Sequence, residues 1–225
     1  MSAASTTRPT ARFSVRVLLT VAYLVMLGVN GLANALPLNG VGTGDVSDAY
    51  GNLFAPAGLT FAIWGVIYVL LGAHVLYQWG LFREREAAAG GEMGGAVTRE
   101  DPRAAVLDRV GVLFAVSSLA NTAWIFAWHW DLIALSTLFM LILLGCLIMI
   151  ARLLVTAPLT PRERWFVRVP FSVYFGWITV ATVANVTVLL VQQEWGGFGL
   201  AEAVWAVLII AVAAAIGTAV ILRHA

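Results

Sequence analysis

Six side chains that can stack or hydrogen-bond sit at helical spacing inside stretches that otherwise suit lipid: Trp64 and Tyr68, Asn121 and Trp124, and Trp177 with Asn185. Trp64 and Tyr68 are i and i+4, and Asn121 and Trp124 are i and i+3, so each pair shares a helix face. Trp177, Ala181 and Asn185 step by four, and the small Ala181 leaves room between the larger two. Asn30 and Asn34 add two amides to an earlier apolar segment. An amide in hydrocarbon is costly without a partner, so it is placed either for a neighbouring helix or for a ligand. The chemistry on offer is recognition: flat aromatic walls with a few amide and hydroxyl groups suit a rigid, mostly apolar ligand. Spacing alone leaves a second reading open, because Asn bridges membrane helices and Trp populates interfacial belts. Trp79, Trp128, Trp130, Trp165 and Trp195 stand at segment ends and read as belt residues.

The elements that must position these residues are membrane spans. The 225-residue chain is 61% apolar and 11% charged, with mean hydropathy +0.90, whereas soluble domains are about half apolar and a quarter charged. Six segments are long and apolar enough to cross a bilayer, roughly 14–36, 58–82, 107–128, 132–155, 168–192 and 200–222. The expected fold is an all-α integral membrane protein, a six-helix bundle forming one transmembrane domain over residues 1–225. All 13 basic residues are arginines, and they cluster before the first span, around the second and fourth gaps, and after the sixth. The alternate gaps carry Asp45, Asp48, Asp131 and Glu194, with Glu202 at the sixth span's entry, and no arginine. Under the positive-inside rule both termini are cytoplasmic, in an inner membrane. Arg12, Arg16, the apolar run from Val17 and Ala33-Asn34-Ala35 imitate a secretory signal. The segment is nonetheless expected to stay as the first span.

Several chemistries are excluded or unsupported. Without lysine there is no retinal Schiff base. Apart from Glu202 near an outer end, no acidic residue is clearly inside a span, and ion-coupled transport normally needs one. His74 has no second metal ligand at suitable spacing and reads as a hydrogen-bonded core residue. Cys146, the single cysteine, reads as a small packing residue. Gly40-Val-Gly-Thr-Gly44 follows no strand and is no nucleotide loop. Asn185-Val-Thr187 matches a glycosylation acceptor but lies within a span. No enzymatic activity, metal or obligatory cofactor is expected.

Depth brings the opening residues together. At 1.5 Å per residue, four spans place amides and rings at similar height in the outer half of the bundle. Above them lies a long connection, about 37–57, rich in Gly, Asn and Pro and carrying Tyr50 and Phe54. Such a loop is expected to fold over something. The second gap, 83–105, with its Gly/Ala run, reads as a flexible cytoplasmic loop ending in a helix entry at Asp101-Pro102. The third gap is nearly absent, giving a tight hairpin, and the fourth span reads as featureless Leu, Ile and Met.

At these same residues the chain resembles the translocator protein family (TspO/MBR, or tryptophan-rich sensory proteins). That family's second-helix pattern Phe-Gly-Pro-Val-Trp-Thr-x-Leu-Tyr is similar to Phe61-Ala-Ile-Trp64-Gly-Val-Ile-Tyr68. Its third-helix Leu-Asn-x-x-Trp is similar to Ala120-Asn121-Thr-Ala-Trp124. Its fifth-helix pattern is similar to Pro170-Phe171 followed by Trp177-Ile-Thr-Val-Ala-Thr182-Val-Ala-Asn185. This chain departs in its Phe54-Ala-Pro56-Ala segment, a longer second loop and an added sixth span. The resemblance implies that the first five helices form a bundle binding porphyrin, haem or a sterol beneath the first loop. By that resemblance the pocket residues are Trp64, Tyr68, Asn121, Trp124, Trp177, Ala181 and Asn185; Asn30 and Asn34 join them on depth. Expected partners are the lipid bilayer and a hydrophobic tetrapyrrole or sterol, with no nucleic acid; a homodimer stays open. Competing readings are a small transporter or channel, a scaffold that binds a partner protein, and the porphyrin-degrading activity that the resemblance leaves open, for which the sequence offers only aromatic residues.

Overall fold

The computed structural model describes residues 11–36, 38–53, 55, 58–82 and 102–212. They form helices α1 (Phe13–Ala35), α2 (Thr43–Ala49), α3 (Ile63–Gln78), α4 (Pro102–His129), α5 (Ile133–Thr156), α6 (Pro161–Gln192) and α7 (Glu202–Val212). No strand occurs among these residues. Five helices are long and apolar enough to cross a membrane: α1, α4, α5, α6, and α3 with the 3₁₀ turn before it. Of the expected sixth span, 200–222, only α7 falls within the described residues. Most of the expected flexible loop, 83–101, lies outside them, but its last residues, from Pro102, already belong to α4.

Sequence chemistry explains where the helices start. Thr160-Pro161-Arg162-Glu163 is a capping box: the Glu163 N–H donates to Thr160 Oγ1 (3.3 Å) and the Thr160 N–H to Glu163 Oε2 (2.7 Å). This begins α6 seven residues before the expected span at 168. Pro170 then shapes the helix from inside. Its ring cannot donate to the Phe166 carbonyl four residues back. The helix widens into a π turn over Arg164–Arg168, where the Val169 N–H reaches Arg164 O. The freed Phe166 carbonyl accepts from His74 Nδ1 at 2.9 Å. His74, fully buried, is therefore the expected hydrogen-bonded core residue. Cys146 is buried, as expected of a packing residue.

The five long helices close into a ring in the order α3, α1, α4, α5, α6 and back to α3. The most buried is α4, with 61% of its most apolar window inside, against 28–33% for the other four. It carries the residues about which the rest is arranged. Two glycines allow close approach. A Cβ on Gly111 of α4 would stand 2.5 Å from Val15 Cγ1 of α1, and one on Gly72 of α3 would stand 2.8 Å from the Tyr23 hydroxyl. That hydroxyl donates to the Tyr68 carbonyl (2.9 Å), tying α1 to α3.

The α4–α5 hairpin turns at Asp131, whose φ of 58° is a conformation Asp tolerates better than most residues. The two ends of the bundle differ in charge. Arg12, Arg16, Arg103, Arg109, Arg152, Arg162, Arg164 and Arg168 stand at one end with the acids Asp108 and Glu163, and Asp45, Asp48, Asp131, Glu194 and Glu202 at the other.

Candidate functional site

At the acidic end, α2 lies across α4. Its Thr43, Val46 and Ser47, spaced i, i+3, i+4, face inward and are buried, while Asp45 and Asp48 do not. The Asp45 carboxylate accepts from the Gly42 N–H at 2.8 Å and starts the helix. This lid is fastened to the end of α4 by side chains from the hairpin. His129, 1% exposed, holds it twice, through Nδ1 to Leu38 O (3.3 Å) and Nε2 to Thr43 Oγ1 (3.0 Å). A carbonyl only accepts, so Nδ1 carries the proton and, in the neutral ring, Nε2 accepts from the Thr43 hydroxyl. The Asn39 amide donates to the His129 carbonyl (3.0 Å), and the Trp128 indole to the Thr43 carbonyl (3.0 Å).

Tyr50 adds a fourth fastening. Its hydroxyl donates to Asp131 Oδ1 (2.5 Å) and accepts from Gln192 Nε2 (3.1 Å). Desolvation first, then the Asp131 carboxylate, holds this phenol above its usual pKa of 10.0. A raised pKa means the tie is intact below pH 10 and is lost as pH rises through the folded-state value. A tyrosinate absorbance difference between the unaltered chain and Tyr50→Phe should therefore titrate above the exposed-phenol range. Asp131→Asn should bring it down; an unchanged titration would remove Asp131 as a cause.

Beneath the lid is a cluster of rings. Trp64 is its centre: it stacks on Tyr68 (centroids 5.6 Å apart) and Trp124 (6.1 Å), and meets Trp177 (6.0 Å) and Tyr174 (6.1 Å) edge-on. Phe61 packs on Trp177, and Trp128 stacks on Trp124. A cavity of about 30 Å³ remains among Ser47, Phe61, Trp64, Trp124, Trp128, Trp177, Ala181, Ala184 and Asn185. That holds no more than about two water molecules.

Five expected residues thus meet at one cavity: Trp64, Trp124, Trp177, Ala181 and Asn185. Tyr68 backs Trp64 from the next turn. The amides divide. Asn30 Nδ2 donates to Asn121 Oδ1 at 2.7 Å, bridging α1 and α4, and to Met26 O at 2.8 Å. Asn185 pairs with the Ser136 hydroxyl (3.2 Å), so α5 is not the featureless helix expected. Asn34 is exposed and donates to Asn30 O, so it is not brought to the site. Trp128, expected in an interfacial belt, is 4% exposed and lines the cavity. Trp79, Trp130, Trp165 and Trp195 are exposed.

Some polar atoms here are left over. The indole N–H groups of Trp124 and Trp177 and the free amide N–H of Asn121 are buried without hydrogen-bond partners. The Tyr174 hydroxyl neighbours the Asn121 amide without reaching hydrogen-bonding geometry. Each orphaned donor costs about 1–3 kcal/mol. Among the described residues no cluster of His, Cys, Asp or Glu could hold a metal.

Comparisons with curated proteins and with solved structures each returned no match. A family model described as TSPO-like protein matches residues 16–225, which takes in α1 from its fourth residue, the other four long helices, the lid and the ring cluster. With apolar helices of this length, the match makes the protein a multi-pass membrane protein. The chain belongs to the TSPO-like protein family.

Proposed function

We propose that this protein binds a flat hydrophobic ring compound, a tetrapyrrole such as porphyrin or haem, or a sterol, in the Trp64–Trp124–Trp177 cluster. The proposed role is sensing or transport, without turnover, in an inner membrane with both termini cytoplasmic. The observation that carries this reading is the pair of partnerless indole N–H groups on two rings that line the cavity. A purely structural core would be expected to leave no such donors, because unmade hydrogen bonds in apolar surroundings are expensive. A ligand with acceptor oxygens would satisfy them while its ring lies against Trp64. That favours a tetrapyrrole, with its carboxylates, over a sterol with one hydroxyl.

The cavity of about 30 Å³ is far below the 300 Å³ or more of a typical ligand pocket. Binding therefore requires the lid to lift and the rings to part. The test is a titration of the purified protein with protoporphyrin IX and with a sterol, followed by tryptophan quenching. Trp124→Phe and Trp177→Phe keep the rings but remove the donors, and each should weaken tetrapyrrole binding about tenfold, or ~1.4 kcal/mol. Asn121→Ala should weaken it too. No tetrapyrrole binding tighter than roughly 100 μM (about −5.5 kcal/mol), or affinities unmoved by all three variants, would remove the pocket reading.

A further inference from the structure

At the opposite, arginine-bearing end, α4 and α5 leave an open groove of about 610 Å³ between them. Arg109 of α4 and Arg152 of α5 flank it. α4 runs away from this end, so Val112 and Leu113 lie about one turn deeper than Arg109. α5 runs toward it, so Met149 lies about one turn deeper than Arg152. The groove is thus two guanidinium groups above an apolar wall. Asp108, the acid among its described lining residues, is already engaged: Arg12 Nε stands 3.1 Å from Oδ2, and the Arg12 N–H donates to Oδ1 at 2.6 Å. Arg109 and Arg152 are exposed, and their guanidinium groups make no ion pair or hydrogen bond among the described residues.

Two guanidinium forks lining one groove fit phosphate oxygens, which they can grip bidentately. Basic pockets between membrane helices at headgroup level suit anionic lipids. The apolar wall directly below distinguishes a lipid phosphate from a free one, since only the lipid brings chains to cover it. We infer that this groove binds an anionic phospholipid, its phosphate between Arg109 and Arg152 and an acyl chain along Val112, Leu113 and Met149. The site is separate from the ring cluster and does not depend on what binds there.

The experiment is native mass spectrometry of the full chain in detergent, titrated with phosphatidylglycerol, phosphatidylcholine or sodium phosphate. Phosphatidylglycerol should be retained at least tenfold better than phosphatidylcholine. R109Q/R152Q should lose about that tenfold, while R164Q/R168Q, an equal charge loss at the same end, should change retention less than twofold. Met149→Trp fills the groove but keeps both arginines, and should also lower lipid retention; it decides the matter if R109Q/R152Q does not fold. Equal retention of the two lipids, an equal loss in R164Q/R168Q, or no loss in Met149→Trp would overturn the site. Displacement of the lipid by sodium phosphate at equal concentration would overturn its assignment to a lipid.

Discussion

Trp64→Ala is expected to destabilise the bundle by about 3 kcal/mol and to abolish ring-ligand binding. Among the described residues Trp64 is the one ring in contact with four others, drawn from its own helix, α4 and α6. Lipid tails are as apolar as the core, so the loss comes from packing and not from exposure to water. Truncating a buried Trp typically costs 3–5 kcal/mol, and the membrane setting argues for the lower end. Trp64→Phe keeps a ring in place and should cost roughly 1 kcal/mol, within the range of a single aromatic pair. Unfolding in detergent measures the first effect, and the tetrapyrrole titration the second. A loss below about 1 kcal/mol for Trp64→Ala would mean that the cluster collapses freely and is not a preformed wall.

The second large effect concerns the lid. His129→Ala removes both ring hydrogen bonds and leaves Thr43 Oγ1 and Leu38 O without their partner. The lid's local opening should become easier by about 2 kcal/mol. Amide hydrogen exchange over 38–49 should then accelerate roughly thirtyfold while exchange in the body of α4 stays slow. Thr43→Val should give a smaller acceleration, because the His129 Nδ1 bond to the Leu38 carbonyl survives it. Equal acceleration throughout α4 would show that the lid and the bundle open together.

Much of this arrangement could be read from residue spacing. Apolar length placed the five long helices, and depth along them brought Trp64, Trp124, Trp177 and Asn185 to one height, where they meet. What spacing could not supply was the choice of partner. Asn30 and Asn121 are 91 positions apart, and only the packing of α1 on α4 makes them a pair. Trp128 stands at a helix end, where belt residues stand, but a helix from the preceding connection covers it. That helix was masked by glycines, although Thr43, Val46 and Ser47 already carried the i, i+3, i+4 signature. Asn34, one turn beyond Asn30, was assigned with it by depth, yet it lies past the point where a neighbour covers α1.

For the proposed ligand, the fastening of the lid to His129, Trp128 and Asp131 also sets a clock. A ligand that must wait for those bonds to break cannot enter faster than they break, however concentrated it is. The observed association rate should climb with concentration and then level off. Protoporphyrin and sterol, whatever their affinities, should reach the same plateau, because the plateau belongs to the protein. Loosening the gate at His129 should raise it for both.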